Sequence, residues 1–300
     1  MKKRINVFYW KLQEGHGNFG DELNNYLISR LSGCKVDRVI IPLSGFNYIN
    51  LALRYIYYKQ ISYKKIPKII KQFFIDDYIL GIGSVISRND SKYCKVWGTG
   101  IMSKVDQIKP AVFCAVRGKY SQKRLNELNL PVPETIGDPA ILMPVIYTPN
   151  SSKKFKVGII PHFIHYKSIK KKIKDETIIV IDLTDKIENI IDQINSCQYT
   201  ISTSLHGIIV AQVYKIPSLW FTYNEESLPG DNIKFYDYFS SVGIDEYIPF
   251  VLNLEELETD DIIQLFDKFS HISVVNKDIN EIQNKLLDAA PFSVLEKYMP

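Results

Sequence analysis

A histidine lies at a predicted junction between a strand and a helix in the second half of the chain. Residues 199–202 predict a buried strand and residues 205–214 a helix, which places His206 in the first turn of that helix. Helix N-termini at the carboxyl ends of parallel strands bind anions through their free N–H groups. His206, with Leu205 and the N-cap candidate Ser204, therefore either belongs to an anion site or simply caps the helix.

Glycine-containing turns follow three predicted strands in the first half of the chain. The first of them, residues 15–20, opens a helix that Asp21 is expected to cap. Its glycines have the spacing of a dinucleotide-binding loop, but the acidic residue that would hold a ribose is at best Asp37, which comes before its strand and not after it, so a nicotinamide cofactor is not expected. The residues of interest in the three turns are Asn18, Gly20, Gly83, Ser84 and Gly100. Together the turns predict a crevice lined by backbone.

An arginine and an aspartate complete the candidates in the first half. Arg117 follows a fourth predicted strand, where its guanidinium suits a carboxylate or a phosphate; the alternative is a structural salt bridge. Asp138 precedes Pro139, which favours an extended backbone at Asp138. Its carboxylate either faces the crevice or caps the local turn.

Two more histidines follow the first predicted strand of the second half. His162 and His165 are three residues apart, but no neighbouring Asp, Glu or Cys completes a set of metal ligands, so no metal is expected. We interpret His162 as a hydrogen-bonding group of the crevice and His165 as a surface residue. The four cysteines are scattered, which favours reduced thiols in a cytoplasmic protein.

Apolar and amphipathic segments alternate along the chain, which predicts an α/β fold with parallel sheets. Strands are predicted at residues 5–12, 36–41, 78–81, 95–98, 111–116, 155–161, 177–182, 199–202 and 218–221. Helices are predicted at residues 21–31, parts of 46–73, 119–128, 186–196, 205–214, 234–242 and 279–290. With a turn-rich linker at 147–152, the pattern predicts two Rossmann-like domains, residues 1–148 and 149–300, facing a cleft as in GT-B proteins. The last helix has no strand after it and could pack back on the first domain.

Composition indicates a soluble globular protein. The 300 residues carry a net charge of +4, and no apolar run reaches the ~18 to 20 residues that a membrane span needs. Basic and aromatic residues alternate from Arg54 to Phe74, as at an anionic membrane surface, a nucleic-acid site or a solvated helix face. We retain peripheral membrane contact as the hypothesis and expect no nucleic-acid partner.

Seven short motifs, taken in their order along the chain, resemble the polysaccharide pyruvyl transferase family. The set extends from residue 7 to residue 240, and the ordered set is far more specific than any one motif. The motifs are Asn18-Phe19-Gly20-Asp21-Glu22-Leu23, Gly81-Ile82-Gly83-Ser84, Trp97-Gly98-Thr99-Gly100, Val116-Arg117-Gly118, Gly137-Asp138-Pro139-Ala140, Gly158-Ile159-Ile160-Pro161-His162 and Ser204-Leu205-His206-Gly207.

The resemblance implies a reaction and residues for it. The family's GT-B proteins move a pyruvyl group from phosphoenolpyruvate onto two sugar hydroxyls as a ketal, in exopolysaccharide or capsular polysaccharide biosynthesis, without a cofactor. It implies that Arg117 and His206 bind phosphoenolpyruvate and act in catalysis, and that Lys234 lies in the same donor site with Leu205. Many members carry Arg where this chain has Ser204, so one cation of the anion site is absent here.

Two other functions remain compatible with the sequence. One is a GT-B glycosyltransferase that uses a nucleotide sugar, and the other is a non-catalytic relative that binds a sugar or a lipid. A sugar acceptor that is lipid-linked would place a pyruvyl transferase at the inner face of the membrane. The residues expected to line the cleft or to contact the acceptor are Asn18, Gly20, Asp21, Gly83, Ser84, Gly100, Asp138 and His162.

Overall fold

Two five-stranded sheets, parallel throughout, form the framework of the protein. The structure is a computed structural model that describes residues 4–10, 18–39, 75, 77–223, 230–253 and 258–299. The first sheet contains β1 (Arg4–Phe8), β2 (Lys35–Val39), β3 (Ile79–Leu80), β4 (Lys95–Trp97) and β5 (Val112–Ala115). The second contains β6 (Phe155–Ile160), β7 (Ile178–Val180), β8 (Cys197–Ser202), β9 (Ser218–Thr222) and β10 (Phe250–Val251).

The two sheets share one topology. The strand order is β2-β1-β3-β4-β5 in the first sheet and β10-β9-β8-β6-β7 in the second. Read from the other edge, the second order is β7-β6-β8-β9-β10. In each sheet the second strand along the chain is therefore at one edge, followed by the first, third, fourth and fifth. In each sheet the order reverses next to the first strand, between β1 and β3 and between β6 and β8. Ligands of doubly wound sheets bind at such switch points, beside the carboxyl ends of the strands.

Helices connect and cover the strands. They are α1 (Phe19–Ser32), α2 (Lys119–Glu127), α3 (Met143–Ile146), α4 (Tyr166–Lys172), α5 (Ile187–Asn195), α6 (Leu205–Val213), α7 (Ile233–Val242), α8 (Thr259–Lys268), α9 (Ser270–Ser273) and α10 (Ile279–Asp288). Short 3-10 helices occur at Ile86–Arg88, Pro139–Leu142 and Glu296–Tyr298. Within the described residues, no helix is both long and apolar enough to cross a bilayer.

Helix α6 is a core helix, and this burial fixes the position of its histidine. All of its residues except His206 are buried, including Gln212. A helix that is apolar on nearly every side must be covered on every side, so it cannot leave the core without exposing apolar surface, and close packing restricts its rotation. His206 is therefore held at the start of an element that has little freedom to move.

The predicted α/β fold with parallel sheets is confirmed for the described residues. Each predicted strand overlaps an observed strand, and each predicted helix overlaps an observed helix. The exception is the helix prediction within residues 46–73, which lie outside the described part of the chain. The sequence interpretation misses β10, α3, α4, α8 and α9. Strand β10 has two residues, and α4 buries only Ile169, so neither offers a periodic apolar signal.

The apolar core is continuous between the sheets. One cluster of buried side chains includes Val7 and Leu27 from the first half of the chain and Val157 and Ile208 from the second. Helix α10 lies against the first half: the indole Nε1 of Trp97 donates a hydrogen bond of 2.9 Å to the Leu286 carbonyl. The division into two domains stays a prediction, because a continuous core does not itself define a boundary.

Candidate active site

The residues whose side chains could bind a ligand or transfer a proton lie at the carboxyl ends of the strands, beside both switch points. Helix α1, with Gly20 in its first turn, follows β1, and Ser84 follows β3. His162 follows β6, and His206 follows β8. The two sheets therefore both contribute to one region, although these residues are far apart in sequence.

His206 packs its ring against the first turn of α1. A Cβ added at Gly20 would lie 2.2 Å from His206 Nδ1, so a glycine is needed for this approach. The side chain of His206 is 14% exposed, and its Nε2 atom is buried and makes no hydrogen bond within the described residues. The first sheet's leading helix thus limits where the imidazole of the second sheet can lie.

Asp138 has a fully buried carboxylate whose two oxygens face different groups. Oδ1 accepts a hydrogen bond of 3.0 Å from Ala140 N, which makes Asp138 the N-cap of the 3-10 helix Pro139–Leu142. Oδ2 lies 3.6 Å from His206 Nε2 and makes no hydrogen bond in the described part of the chain. The backbone of Asp138 is extended, as predicted. The turn cap is therefore what the structure shows, and a role of the carboxylate in the crevice stays a prediction.

Asp21 lies inside α1 and does not cap it, so that prediction is wrong. The helix begins two residues earlier, with Asn18 at the N-cap position, and Asp21 Oδ2 accepts a hydrogen bond of 3.0 Å from Asn18 Nδ2. Burial raises the pKa of Asp21 to about 6, against the lowering effects of the Asn18 hydrogen bond and of His206. A carboxyl group with this pKa can exchange a proton close to neutral pH.

Arg117 is completely buried and forms a salt bridge. Its Nε donates to Asp237 Oδ2 at 3.0 Å, Nη1 to Ser84 Oγ at 2.6 Å and Nη2 to the Ile101 carbonyl at 2.6 Å. The alternative interpretation of Arg117 as a structural ion pair is what the structure shows. A guanidinium has five N–H donors, so two remain after these three bonds, and contact with a ligand stays a prediction.

The predicted crevice is lined by glycine turns, and one of these turns packs directly against the Arg117 guanidinium. A Cβ added at Gly100 would lie 2.6 Å from Arg117 Cζ and 2.5 Å from Asp237 Oδ2. The Gly83 carbonyl accepts a hydrogen bond of 3.1 Å from Gly100 N. Both glycines are buried. Gly100 lets its loop approach the arginine, whereas Gly83 has a φ of 119°, which favours glycine.

Lys234 lies within electrostatic reach of both Arg117 and His162. Burial, and then the Arg117 cation, lower the pKa of Lys234 to about 8, and no carboxylate in the described residues forms an ion pair with it. Burial, the Lys234 cation and His165 lower the pKa of His162 to about 4, so His162 is neutral at physiological pH. Its Nδ1 is buried without a hydrogen bond in the described part of the chain. This arrangement favours an anionic ligand.

The loops after β6 and β8 are joined through Thr203, a residue that the sequence interpretation misses. Thr203 Oγ1 accepts a hydrogen bond of 2.8 Å from His162 N and lies 3.2 Å from His165 Nδ1. His165 is 1% exposed, so its prediction as a surface residue is wrong. The turn that begins at His162 directs the His165 ring inward, toward Thr203.

Ser204 occupies the predicted N-cap position of α6 but makes no capping hydrogen bond through its side chain. Ser204 N donates instead to Ser202 Oγ at 2.9 Å, and both Ser204 and Leu205 are buried.

The sequence interpretation also misses Asp237, the ion-pair partner of Arg117. The available signal is its position one turn after Lys234, on the same helix.

Fold and site together define an α/β protein whose two doubly wound sheets share a site suited to an anion and to proton transfer. The sequence model of the polysaccharide pyruvyl transferase family matches residues 18–225, and the chain belongs to that family. It is a transferase of polysaccharide biosynthesis, and the family implies a sugar acceptor. The chain is also 32% identical, over 230 residues, to the uncharacterized protein L143 of Acanthamoeba polyphaga mimivirus; the match covers 72% of this chain and 77% of that protein.

Proposed function

We propose that the protein transfers the pyruvyl group of phosphoenolpyruvate onto two hydroxyls of a sugar, with the donor bound beside Arg117 and Lys234. The observation that carries the proposal is a pair of neighbouring cations, the fully buried Arg117 and the partly buried Lys234, of which Lys234 has no carboxylate partner among the described residues. Phosphoenolpyruvate presents a carboxylate and a phosphate on neighbouring atoms. Two cations and the neutral His162 suit such a ligand, because charge-assisted hydrogen bonds are strongest where water is excluded.

The reaction balances as two additions and one loss of phosphate. A proton is added to the methylene carbon, which becomes a methyl group, and the central carbon becomes an oxocarbenium ion. The first sugar hydroxyl attacks that carbon and releases its proton. The bond to phosphate then breaks, and the second hydroxyl attacks and releases its proton. One of the two released protons replaces the proton given to carbon, and the other leaves with inorganic phosphate.

The proposed roles follow from position. Lys234 and Arg117 hold the anionic donor, and His206 delivers the proton to carbon. Asp21, whose burial raises its pKa to about 6, accepts a hydroxyl proton from the acceptor. The acceptor would enter between the two sheets, as in a GT-B cleft, past Gly20 and Asn18.

The test is acceptor-dependent release of phosphate. The protein is incubated with phosphoenolpyruvate and a panel of sugars, phosphate is followed by 31P NMR, and the acceptor's mass is checked for the ketal. Binding alone is read from thermal unfolding, because a ligand at 100 times its Kd stabilises the folded state by roughly 2.7 kcal/mol. Stabilisation by nucleotide sugars with none by phosphoenolpyruvate would favour the glycosyltransferase. Sugar binding without turnover of either donor would favour the non-catalytic relative.

A lipid-linked acceptor at the inner face of the cytoplasmic membrane is a further part of this proposal. It rests on the basic and aromatic sequence from Arg54 to Phe74, which lies outside the described residues. Each basic residue near an anionic surface contributes about 1 kcal/mol, so binding to acidic vesicles should fall steeply with salt. Neutralising Lys64, Lys65 and Lys68 should abolish vesicle binding and spare turnover of a soluble acceptor. Equal binding to neutral and acidic vesicles would contradict the proposal.

A further inference from the structure

Two buried polar atoms face each other in the candidate active site without any other partner in the described residues. They are Asp138 Oδ2 and His206 Nε2, 3.6 Å apart. Leaving a buried polar atom without a hydrogen bond costs roughly 1 to 3 kcal/mol, so two such atoms in one place need a reason. Their separation is longer than a hydrogen bond and short enough for an ion pair, and such contacts often tighten when substrate binds.

We propose that Asp138 is a positioning residue for His206: its Oδ2 accepts the Nε2–H of the imidazole and leaves Nδ1 as the nitrogen that exchanges a proton with the substrate. This inference rests on the proposed function and adds to it the tautomer and the working atom. Neutral imidazole carries one proton, so an acceptor at Nε2 fixes the lone pair at Nδ1. Nδ1 takes up a second proton before it delivers one to the methylene carbon, and the Asp138 carboxylate stabilises the cationic ring formed in between.

The surroundings of both atoms support this division of roles. Nε2 is buried, so it cannot meet a ligand without displacing the carboxylate. Nδ1 lies against Gly20, where any side chain would overlap with that nitrogen. Asp138 is itself rigid, because Oδ1 caps the 3-10 helix through Ala140 N and Pro139 restricts the backbone.

The packing behind Asp138 holds the pair in place. A Cβ added at Gly98 would lie 2.4 Å from Pro139 Cδ and 2.6 Å from the Gly137 carbonyl, so the end of β4 fits tightly against the aspartate's own turn. Gly137 N donates to the Val116 carbonyl at 2.9 Å, which ties that turn to the residue before Arg117. The carboxylate cannot move away from His206 without disturbing β4 and β5.

The decisive variant is Asp138→Asn, which can keep the cap to Ala140 N through its amide oxygen. Its NH2 group would then face His206 Nε2, which must accept, so the proton of the neutral ring moves to Nδ1. We expect kcat to fall about 100- to 10,000-fold with little change in the Kd of phosphoenolpyruvate. The 15N shifts of His206, assigned by comparison with His206→Gln, should report Nε2–H in the parent and Nδ1–H in the variant.

A second variant, Gly20→Ala, would place a methyl group 2.2 Å from Nδ1, so the ring has to move and its contact with Asp138 is disturbed. We expect it to lower kcat as Asp138→Asn does. The parent spectrum alone overturns the proposal if neutral His206 carries its proton on Nδ1, whether or not Asp138→Asn folds. Unchanged kcat and tautomer in Asp138→Asn would overturn it too. Because the tautomer is measured in the free protein, it decides the role of Asp138 even if phosphoenolpyruvate proves not to be the donor.

Discussion

The charge on Lys234 is the residue-scale property that a bound anion would depend on. Burial and Arg117 lower the pKa of Lys234 to about 8, so the side chain is a cation below that pH and loses its proton as the pH rises through it. A bound anion stabilises the cationic form. Affinity for phosphoenolpyruvate should therefore be highest below pH 8 and should decline above it.

The prediction is that the Kd of phosphoenolpyruvate rises as the pH passes through about 8. Lys234→Met should weaken binding at neutral pH by about 10- to 100-fold, because a hydrogen bond to a charged group contributes about 1.5 to 3 kcal/mol, and should remove the pH dependence. Lys234→Arg is the matched control, since a guanidinium stays charged. Calorimetric titration between pH 7 and 9 measures all three. A parent Kd that is flat across this window would show that Lys234 does not contact the donor.

Single residues also show where sequence reasoning stops. The histidine at the start of α6 and the arginine after β5 are predictable, because a strand-to-helix junction is a local pattern. That Asp237 neutralises Arg117 is not predictable, because the two are 120 residues apart and only the folded chain brings them together. The orphaned atoms of Asp138 and His206 are likewise visible only in three dimensions.

At the scale of elements, α2 is capped by a helix from the other half of the chain. Its own N-cap residue, Gly118, has no side chain to offer, and a Cβ there would lie 1.7 Å from the Asp237 carbonyl oxygen. Helix α7 supplies the acceptors: Ser121 N donates to Asp237 Oδ1 at 2.9 Å, and Lys119 N donates to Ser240 Oγ at 2.9 Å. Hydrogen bonds therefore join the start of α2, which Arg117 precedes by two residues, to α7, which carries Lys234.

Asp237→Ala should destabilise the fold by about 3 to 5 kcal/mol, because it leaves the Arg117 cation buried without a counter-ion. Ser240→Ala removes only one capping acceptor and should cost about 1 kcal/mol. Glu281→Ala is the control: its ion pair with Lys285 is exposed at both ends, and the loss should stay below about 0.5 kcal/mol. Urea unfolding followed by circular dichroism gives the three values. An Asp237→Ala variant as stable as Glu281→Ala would mean that the buried pair is not needed.

The elements themselves are largely predictable and their partners are not. Strand and helix positions follow from apolar periodicity, and α8 also carries such a signal at Ile262 and Phe266. The cap of α2 has no local signal, since its acceptor is 116 residues away. Sheet order and the packing of α10 on Trp97 likewise depend on which apolar faces meet.

At the scale of the whole molecule, contacts between the two sheets' layers are both apolar and polar. The main core cluster draws on both halves of the chain. Phe19 N donates to the Leu183 carbonyl at 3.0 Å, and Leu295 N donates to the Leu31 carbonyl at 2.8 Å. The candidate active site depends on these contacts between the two halves of the chain, because Gly20 and Asp138 come from one half and His206 from the other.

A shared core predicts that the two sheets unfold together. Hydrogen exchange measured by mass spectrometry at increasing urea concentrations should show β4 and β5 losing protection over the same range as β8 and β9, since side chains of all four strands belong to the shared cluster. Tryptophan fluorescence, which reports the buried Trp97 in the first sheet and Trp220 in the second together with the more exposed Trp10, should give one transition at the same midpoint. Two separate midpoints would instead support independently folding domains with a boundary near residue 148. In that case the His206 site would be lost at the lower midpoint, because it needs both halves.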